Sequence, residues 1–128
     1  MTISQHEYQR QIGTRMSEAQ LMKLVIDAAQ KLGWIVAHIN DRMYSLAIAA
    51  GRPDVMAGAK GLPDLIMARS GRVIFAELKS AKGRVRADQQ MWLDELQARV
   101  PDVTHEVYTW RPADWFDGTI EAVLRGDL

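Results

Sequence analysis

Two carboxylates and one amine between residues 61 and 79 have the chemistry of a divalent-metal site. Asp64 precedes a short apolar stretch, and Glu77 and Lys79 lie at the end of the next one. Magnesium and manganese prefer oxygen ligands, so the two acids and the backbone carbonyl of Leu78 are candidate ligands. An ammonium group next to such an ion would lie beside a metal-bound water. These residue types therefore predict a centre at which a metal activates water.

The spacing of the apolar residues predicts a β-hairpin that would position these groups. Residues 66–68 and 73–75 are two short apolar strands, and the Ser-Gly pair at residues 70–71 suits a two-residue turn. A turn of this length pairs Arg69 with Arg72. The register of the two antiparallel strands can therefore be counted outward from that pair.

Counted outward, the register places Asp64 opposite Glu77 on one face of the hairpin. Because side chains alternate along a strand, Lys79 shares the face of Glu77. Two like charges in opposed positions, roughly 5 Å apart at Cβ, destabilise a sheet unless a cation compensates them. The alternative is that Asp64 ends a turn while Glu77 and Lys79 form a solvated edge. The opposed positions favour the metal site.

The same residues resemble the signature of a nuclease superfamily. Pro63-Asp64, twelve intervening residues and Glu77-Leu78-Lys79 resemble the PD-(D/E)XK pattern. The fuller pattern is similar to the VRR-NUC branch of that superfamily, in a stand-alone, phage-type form, through the motifs Gly61-Leu62-Pro63-Asp64, Glu77-Leu78-Lys79-Ser80 and Gln89-x-x-Trp92. The resemblance covers roughly residues 17–112, so we expect one nuclease domain over residues 1–128.

The resemblance implies both a fold and an activity. The fold would be an α/β sandwich of the restriction-endonuclease-like class, with a mixed central β-sheet flanked by helices. The activity would be Mg²⁺- or Mn²⁺-dependent hydrolysis of DNA phosphodiester bonds in branched or structured DNA, such as Holliday junctions, flaps and splayed duplexes. Two copies of the chain would act together as a homodimer. Asp64 and Glu77 would hold the metal, and Lys79 would orient the attacking water or stabilise the developing charge.

A predicted capping box at Ser17 and Gln20 opens a helix that continues to about residue 32, where Gly33 ends it. Glu18 lies on the apolar stripe of this helix. In the resemblance it matches the acidic residue of the first helix, which helps to hold the metal or its waters. A glutamate in the first turn also interacts favourably with the helix dipole, and both interpretations stay open.

A second amphipathic helix is predicted at residues 87–99. Gln89 precedes Trp92 and Leu93 by three and four residues, so it shares their buried side. A buried amide needs partners, which a metal-bound water or a catalytic carboxylate would supply. The resemblance places an active-site glutamine at this position. Gln90 is turned about 100° away on the helix and is the poorer candidate.

The other predicted elements are a strand at residues 34–39, a strand at 106–110 and a final helical region at 112–124. The segment of residues 40–60 has mixed character, allows a short helix at 44–50, and is long enough to form a loop over the active site. It contains a second Pro-Asp pair at residues 53–54. No hairpin follows that pair, so we assign Asp54 to a turn and prefer Asp64 as the ligand.

Composition narrows the class of protein. A chain of 128 residues, 48% of them hydrophobic, can bury one sizeable core. The absence of cysteine excludes disulfides and thiolate metal sites, and three histidines do not make a zinc site. No apolar run reaches membrane-spanning length and the first residues lack a secretory signal, so we expect a cytoplasmic protein, within the host cell if phage-encoded, without a membrane partner.

The net charge is zero, so any affinity for nucleic acid must come from local clusters. Lys82, Arg84 and Arg86 follow the predicted metal site closely, and Arg72 flanks the hairpin turn. Lysine and arginine side chains at these positions could bind phosphates in a salt-sensitive, sequence-independent way. Such a run is also typical of a solvated loop, but its place beside the metal site favours DNA binding.

Two other functions are compatible with parts of the sequence. A catalytically inert, nuclease-derived DNA-binding module would keep the fold without the chemistry, and the intact set of Asp64, Glu77 and Lys79 argues against it. An apolar interaction scaffold is suggested by four tryptophans and seven methionines. Most of these residues lie at core spacing, so ordinary packing explains them better.

Overall fold

The computed structural model describes residues 3–39, 41–52, 60–98 and 104–128. In this part of the chain, six helices and four strands follow one another in the order α1 Gln5–Arg15, α2 Glu18–Lys31, β1 Ile35–His38, α3 Asp41–Ala49, β2 Leu65–Arg69, β3 Arg72–Leu78, α4 Ala87–Gln97, β4 Glu106–Trp110, α5 Pro112–Phe116 and α6 Thr119–Arg125. The strands form a four-stranded mixed sheet in the order β1-β2-β3-β4. The predicted α/β class and mixed sheet are confirmed.

The chain divides into two compact units. The first unit comprises residues Met1–Ile35, Leu78–Arg84 and Thr109–Leu128, and the second comprises Val36–Glu77 and Val85–Tyr108. The prediction that residues 1–128 act as one nuclease domain stays a prediction.

The hairpin of β2 and β3 dominates the second unit. The two strands are antiparallel, with Arg69 paired to Arg72 and Leu65 paired to Ala76, so the predicted register is confirmed. The turn residues Ser70 and Gly71 have φ angles of 46° and 84°. Positive φ at both central positions is the geometry of a type I′ turn, whose twist matches that of the flanking strands.

One face of this hairpin is core. The side chains of Leu65, Met67, Ile74 and Ala76 are each 0% exposed, and they alternate with the residues of the opposite face. One more step of the register places Asp64 opposite Glu77 on that opposite face. Hydrophobic alternation therefore decides which side of the hairpin carries the carboxylates.

The first unit is helical. The predicted capping box is present in α2, where Gln20 N–H donates to Ser17 Oγ at 3.1 Å and Ser17 N–H donates to Gln20 Oε1 at 2.8 Å. Gly33, with φ of 88°, follows the helix. Trp34 is buried, and its indole N–H donates to the carbonyl of Leu124 in α6 at 3.0 Å.

Two features of the helical unit differ from the sequence-based prediction. Helix α1 was not predicted, although Ser4 caps it by accepting from Glu7 N–H at 3.1 Å. Its Gly13 is buried and packs against the ring of Phe116 in α5. The predicted final helix is two helices, because Gly118 has φ of 85° and interrupts the helical path between α5 and α6.

The remaining elements agree with the prediction within a few residues. Helix α3 begins before the predicted residue 44, and α4 ends at Gln97 rather than at residue 99. The predicted turn at residues 53–54 and part of the predicted active-site loop lie outside the described residues. Among the described helices, none combines the length and the apolar character that a membrane crossing requires.

Candidate metal centre and nucleic-acid interface

Asp64 and Glu77 form the acidic part of the site in the second unit. A carboxylate oxygen of Asp64 lies within 4.8 Å of one of Glu77. Glu77 is 0% exposed, and Asp64 is half-buried just before β2 begins. The backbone at Asp64 is held by β1, because its carbonyl accepts a hydrogen bond from Ile39 N–H at 2.8 Å. The hairpin thus brings together the two acids that the sequence predicted.

Gln89 holds the buried carboxylate. Its Nε2 donates to Glu77 Oε1 at 3.1 Å, and its Oε1 accepts from Arg86 N–H at 2.9 Å. The side chain is at the third position of α4 and is 5% exposed. The predicted inward position is therefore observed, with a carboxylate as its partner. Gln90 is exposed and donates to Asp94 instead, at 2.7 Å.

Leu78 and Lys79 follow Glu77 directly and belong to the first unit. Leu78 is the last residue of β3, and Lys79 is 5% exposed. The Lys79 N–H donates to the carbonyl of Trp110 at 3.0 Å, which ties the chain after β3 to the end of β4. A lysine is rarely this buried, and its burial limits the positions that the ammonium can occupy.

Glu18 is the first residue of α2, directly after the Ser17 cap. The capping contacts of this helix are made by Ser17 and Gln20, so Glu18 is not needed for them. Its position in the first turn is still favourable for a negative charge. Its contribution to a metal site stays a prediction.

The predicted phosphate-binding residues have different environments. Lys82 and Arg84 are exposed, whereas Arg86 pairs with Asp88 at 3.2 Å. A hydrogen bond from Arg86 is the main cause that lowers the pKa of Asp88. The predicted DNA-contacting role of each residue stays a prediction.

Arg72 takes part in a hydrogen-bonded cluster with Glu106 and Tyr108. Its Nε and Nη2 donate to the two Glu106 oxygens at 2.9 and 2.7 Å, and Tyr108 Oη donates to Glu106 Oε1 at 2.7 Å. The Arg72 hydrogen bond is the main cause that lowers the pKa of Glu106, and burial is the main cause that raises the pKa of Tyr108 to about 12. This bidentate pair links β3 to β4.

Comparison with known protein families identifies the family of this chain. The model of the VRR-NUC domain family matches residues 4–109. The chain belongs to the VRR-NUC domain family. Neither the curated proteins nor the solved structures contain a significant match. VRR-NUC membership implies a nuclease-type, DNA-processing function, and the acidic residues are suited to the divalent metals that such nuclease domains typically use.

The VRR-NUC match begins at residue 4, directly before α1, and so includes a helix that the motif-based resemblance did not cover. It also contains Gly61, whose physical role was not predicted. Gly61 has φ of +89°, and a Cβ built there would lie 2.6 Å from the carbonyl carbon and oxygen of Asp88. The backbone at Gly61 thus packs directly against the start of α4, one residue before Gln89. The first residue of the Gly-x-Pro-Asp motif must be glycine because a side chain has no room there.

Proposed function

We propose that this VRR-NUC protein is a metal-dependent endonuclease that hydrolyses phosphodiester bonds in branched or structured DNA. The observation that carries the proposal is the fully buried Glu77 carboxylate, which Gln89 holds within 4.8 Å of Asp64. Two carboxylates at such a distance are unfavourable by themselves and favourable around a cation. The family supports nuclease chemistry, and the acidic pair supplies the ligand type that this chemistry needs.

Asp64 and Glu77 would hold Mg²⁺ or Mn²⁺, and the Leu78 carbonyl would add a further oxygen. Glu18 is proposed as a third acid, because the VRR-NUC resemblance matches it to the acidic residue of the first helix. A bound ion would supply an activated water and would neutralise charge on the scissile phosphate. The donor set contains only oxygens, which suits these hard cations better than zinc or copper.

Lys79 would stabilise the negative charge that develops on the phosphate, or would orient the attacking water. Its burial favours this role, since a charge is more effective where water is excluded. Gln89 would keep the Glu77 carboxylate in one orientation through the contact already described. These two residues therefore position the reaction, while the acids hold the ion.

DNA would be bound through phosphate contacts from the exposed Lys82 and Arg84. Arg86 and Arg72 are proposed to make further phosphate contacts. Such contacts predict affinity that falls with salt and depends little on base sequence. We further propose that two copies of the chain act together as a homodimer, because resolution of a four-way junction requires incisions in two strands. An intracellular location follows from this proposed substrate.

Cleavage of labelled linear, flapped, splayed and four-way DNA with Mg²⁺, Mn²⁺ or chelator tests the proposal. Asp64→Asn and Lys79→Met are expected to lower the single-turnover rate by about 10²-fold or more. Asp54→Asn is the matched control, since Asp54 also follows a proline but was assigned to a turn. It should leave the rate within about threefold of the unmutated protein.

The same assay separates the alternatives. Metal-dependent cleavage that Asp64→Asn and Lys79→Met slow by about 10²-fold or more and Asp54→Asn leaves intact would support the endonuclease. Salt-sensitive binding of branched DNA without cleavage under any metal would instead support the inert DNA-binding module. Equal loss in Asp54→Asn and Asp64→Asn would contradict the assignment of the ligands. Sedimentation of the protein with and without four-way DNA measures whether it is a dimer.

A further inference from the structure

Arg111 binds the turn that follows Lys79. Its Nη1 donates to the carbonyl oxygens of Ser80 at 2.7 Å and Gly83 at 2.8 Å, and lies 3.5 Å from that of Ala81. The turn also contains its own hydrogen bond, from Gly83 N–H to the Ser80 carbonyl at 3.2 Å. One guanidinium therefore satisfies several carbonyls that lie on the same side of a short turn.

The strand before Arg111 holds the other end of the same segment. The Trp110 carbonyl accepts the hydrogen bond from Lys79 N–H at 3.0 Å. Trp110, the last residue of β4, thus holds the backbone at Lys79, and the side chain of the next residue, Arg111, holds the turn that directly follows Lys79. This arrangement fixes residues 79–83 more firmly than a turn would by itself.

The turn lies against the side chain of Lys79. A Cβ built at Gly83 would be 3.6 Å from Lys79 Cδ and 2.9 Å from Ser80 Oγ. Lys79 is 5% exposed, and so its methylene groups are covered. A displacement of the turn would change the cover over Lys79 and would let its ammonium group occupy other positions.

We propose that Arg111 is a positioning residue, which holds residues 80–83 against Lys79 and thereby fixes the ammonium group for cleavage. The inference rests on the proposed function of Lys79 and extends it to a residue outside the family motifs. The Arg111 backbone is held separately, since its N–H donates to Asp114 Oδ2 at 2.8 Å as α5 begins. Replacing the side chain should therefore remove the contacts with the turn while α5 stays capped.

The test is a double-mutant cycle on the full chain. Arg111→Gln is expected to lower the single-turnover cleavage rate about tenfold or more, with the dissociation constant for DNA within about threefold. In the Lys79→Met protein, the same substitution should produce little further loss, because the group that it positions is absent. Arg111→Lys should restore part of the rate by donating to some of the same carbonyls.

Arg125→Gln is the matched control, because Arg125 is an exposed arginine of the first unit that pairs with Glu121. It should leave the cleavage rate unchanged. The proposal is overturned if Arg111→Gln has no effect, if its loss is the same in the Lys79→Met background, or if it weakens only DNA binding.

Hydrogen exchange gives a second measurement that does not require activity. Arg111→Gln should speed exchange of the Lys79 and Gly83 amides at least about tenfold, and Arg125→Gln should not. If the unmutated protein never cleaves, the proposed nuclease function fails while this measurement still decides whether Arg111 holds the turn. Hydrogen exchange also tests the role of Arg111 if the Lys79→Met protein cleaves too slowly for the double-mutant cycle to be measured. Unchanged exchange at both amides would overturn the proposal.

Discussion

The Gln89 amide donates to Glu77 Oε1 at 3.1 Å while its own oxygen accepts from Arg86 N–H at 2.9 Å. One side chain therefore caps α4 and orients a buried carboxylate. Glutamate at the third helical position also completes a capping box. A glutamate at position 89 would place a second negative charge next to Glu77. Glutamine avoids this charge, because its amide oxygen accepts from Arg86 N–H while its amide nitrogen donates to Glu77.

Substitution of Gln89 should reveal both contacts. Gln89→Ala loses the cap and the donor to Glu77, and we expect a loss of about 1–3 kcal/mol in the free energy of unfolding. Gln89→Glu keeps the cap acceptor but places two carboxylates together, and should destabilise the metal-free protein more than Gln89→Ala does at pH 7. Denaturant unfolding of both variants measures the difference.

Gln90→Ala and Gln90→Glu are the controls for these substitutions, because Gln90 is exposed on the same helix. They should change stability by no more than about 0.5 kcal/mol. A Gln89→Glu protein that is as stable as the unmutated one would contradict the donor role of the Gln89 amide.

Gly61→Ala should be much more destabilising than Gly71→Ala. The two glycines have φ angles of +89° and +84°, but a Cβ meets the Asp88 backbone at 2.6 Å only at Gly61, and nothing within 4 Å at Gly71. We expect a loss of about 1 kcal/mol from conformation at Gly71. At Gly61, overpacking against backbone should add about 2 kcal/mol or more. Equal losses of stability for Gly61→Ala and Gly71→Ala in urea unfolding would show that α4 moves away from a Cβ at residue 61.

The turn of the hairpin can be improved. Ser70 has φ of 46°, a conformation that asparagine adopts more readily than serine. Because Asn-Gly is a preferred type I′ pair, Ser70→Asn should stabilise the protein by about 0.5 kcal/mol. Ser70→Ala should have the opposite sign, since alanine has no polar side chain to favour the left-handed region. Thermal unfolding of the two variants in parallel would test the expected ordering.

The Arg72–Glu106 pair should make stability depend on pH in acid. Because the folded-state pKa of Glu106 is lowered from 4.5, its contribution is present above pH 4.5 and is lost as the pH falls through the lower folded value. The two side chains are 29% and 24% exposed. Glu106→Gln should therefore cost about 1 kcal/mol at pH 7 and progressively less below pH 4.5.

Glu121→Gln is the control for this pair, because Glu121 and its partner Arg125 are 56% and 52% exposed. It should have little effect at any pH. Unfolding curves between pH 3 and 7 give the comparison. A Glu106→Gln effect that does not change over this range would exclude ionic pairing as its source.

Tyr108 should make the stability of the protein depend on pH in alkaline solution. Its folded-state pKa is raised from 10.0 to about 12, mainly by burial and then by its hydrogen bond to Glu106. The associated stability is present below pH 10 and is lost as the pH rises through 12. Tyr108→Phe should remove this alkaline decline, which unfolding curves at pH 9 to 12 would detect. A decline that persists in Tyr108→Phe would assign it to other groups.

Local patterns predicted much of the fold. The alternation of apolar residues and the Ser-Gly turn determine the register of the hairpin, because a slip by one residue would move Leu65 and Met67 out of the core. The capping box at Ser17 and Gln20 likewise predicts where α2 begins. Helix α1 has a similar signal at Ser4 and Glu7, but its apolar stripe is too weak to predict a helix.

Interactions between distant segments were not predictable in this way. Nothing near Gly61 in sequence indicates that the start of α4 will lie against it, and nothing near Arg72 indicates Glu106 as its partner. The break at Gly118 in the final helical region was also missed, since an isolated glycine is compatible with a continuing helix.

The sequence by itself determined the types of the candidate site residues and the face of the hairpin that carries the two acids. Residue types, strand alternation and turn length are local properties, and they were sufficient to place Asp64 opposite Glu77. Tertiary structure alone decided how the groups are held: Gln89 on Glu77, Gly61 against α4, and Arg111 on the turn after Lys79. Those contacts join segments that are remote in the chain, and only packing determines which of them meet.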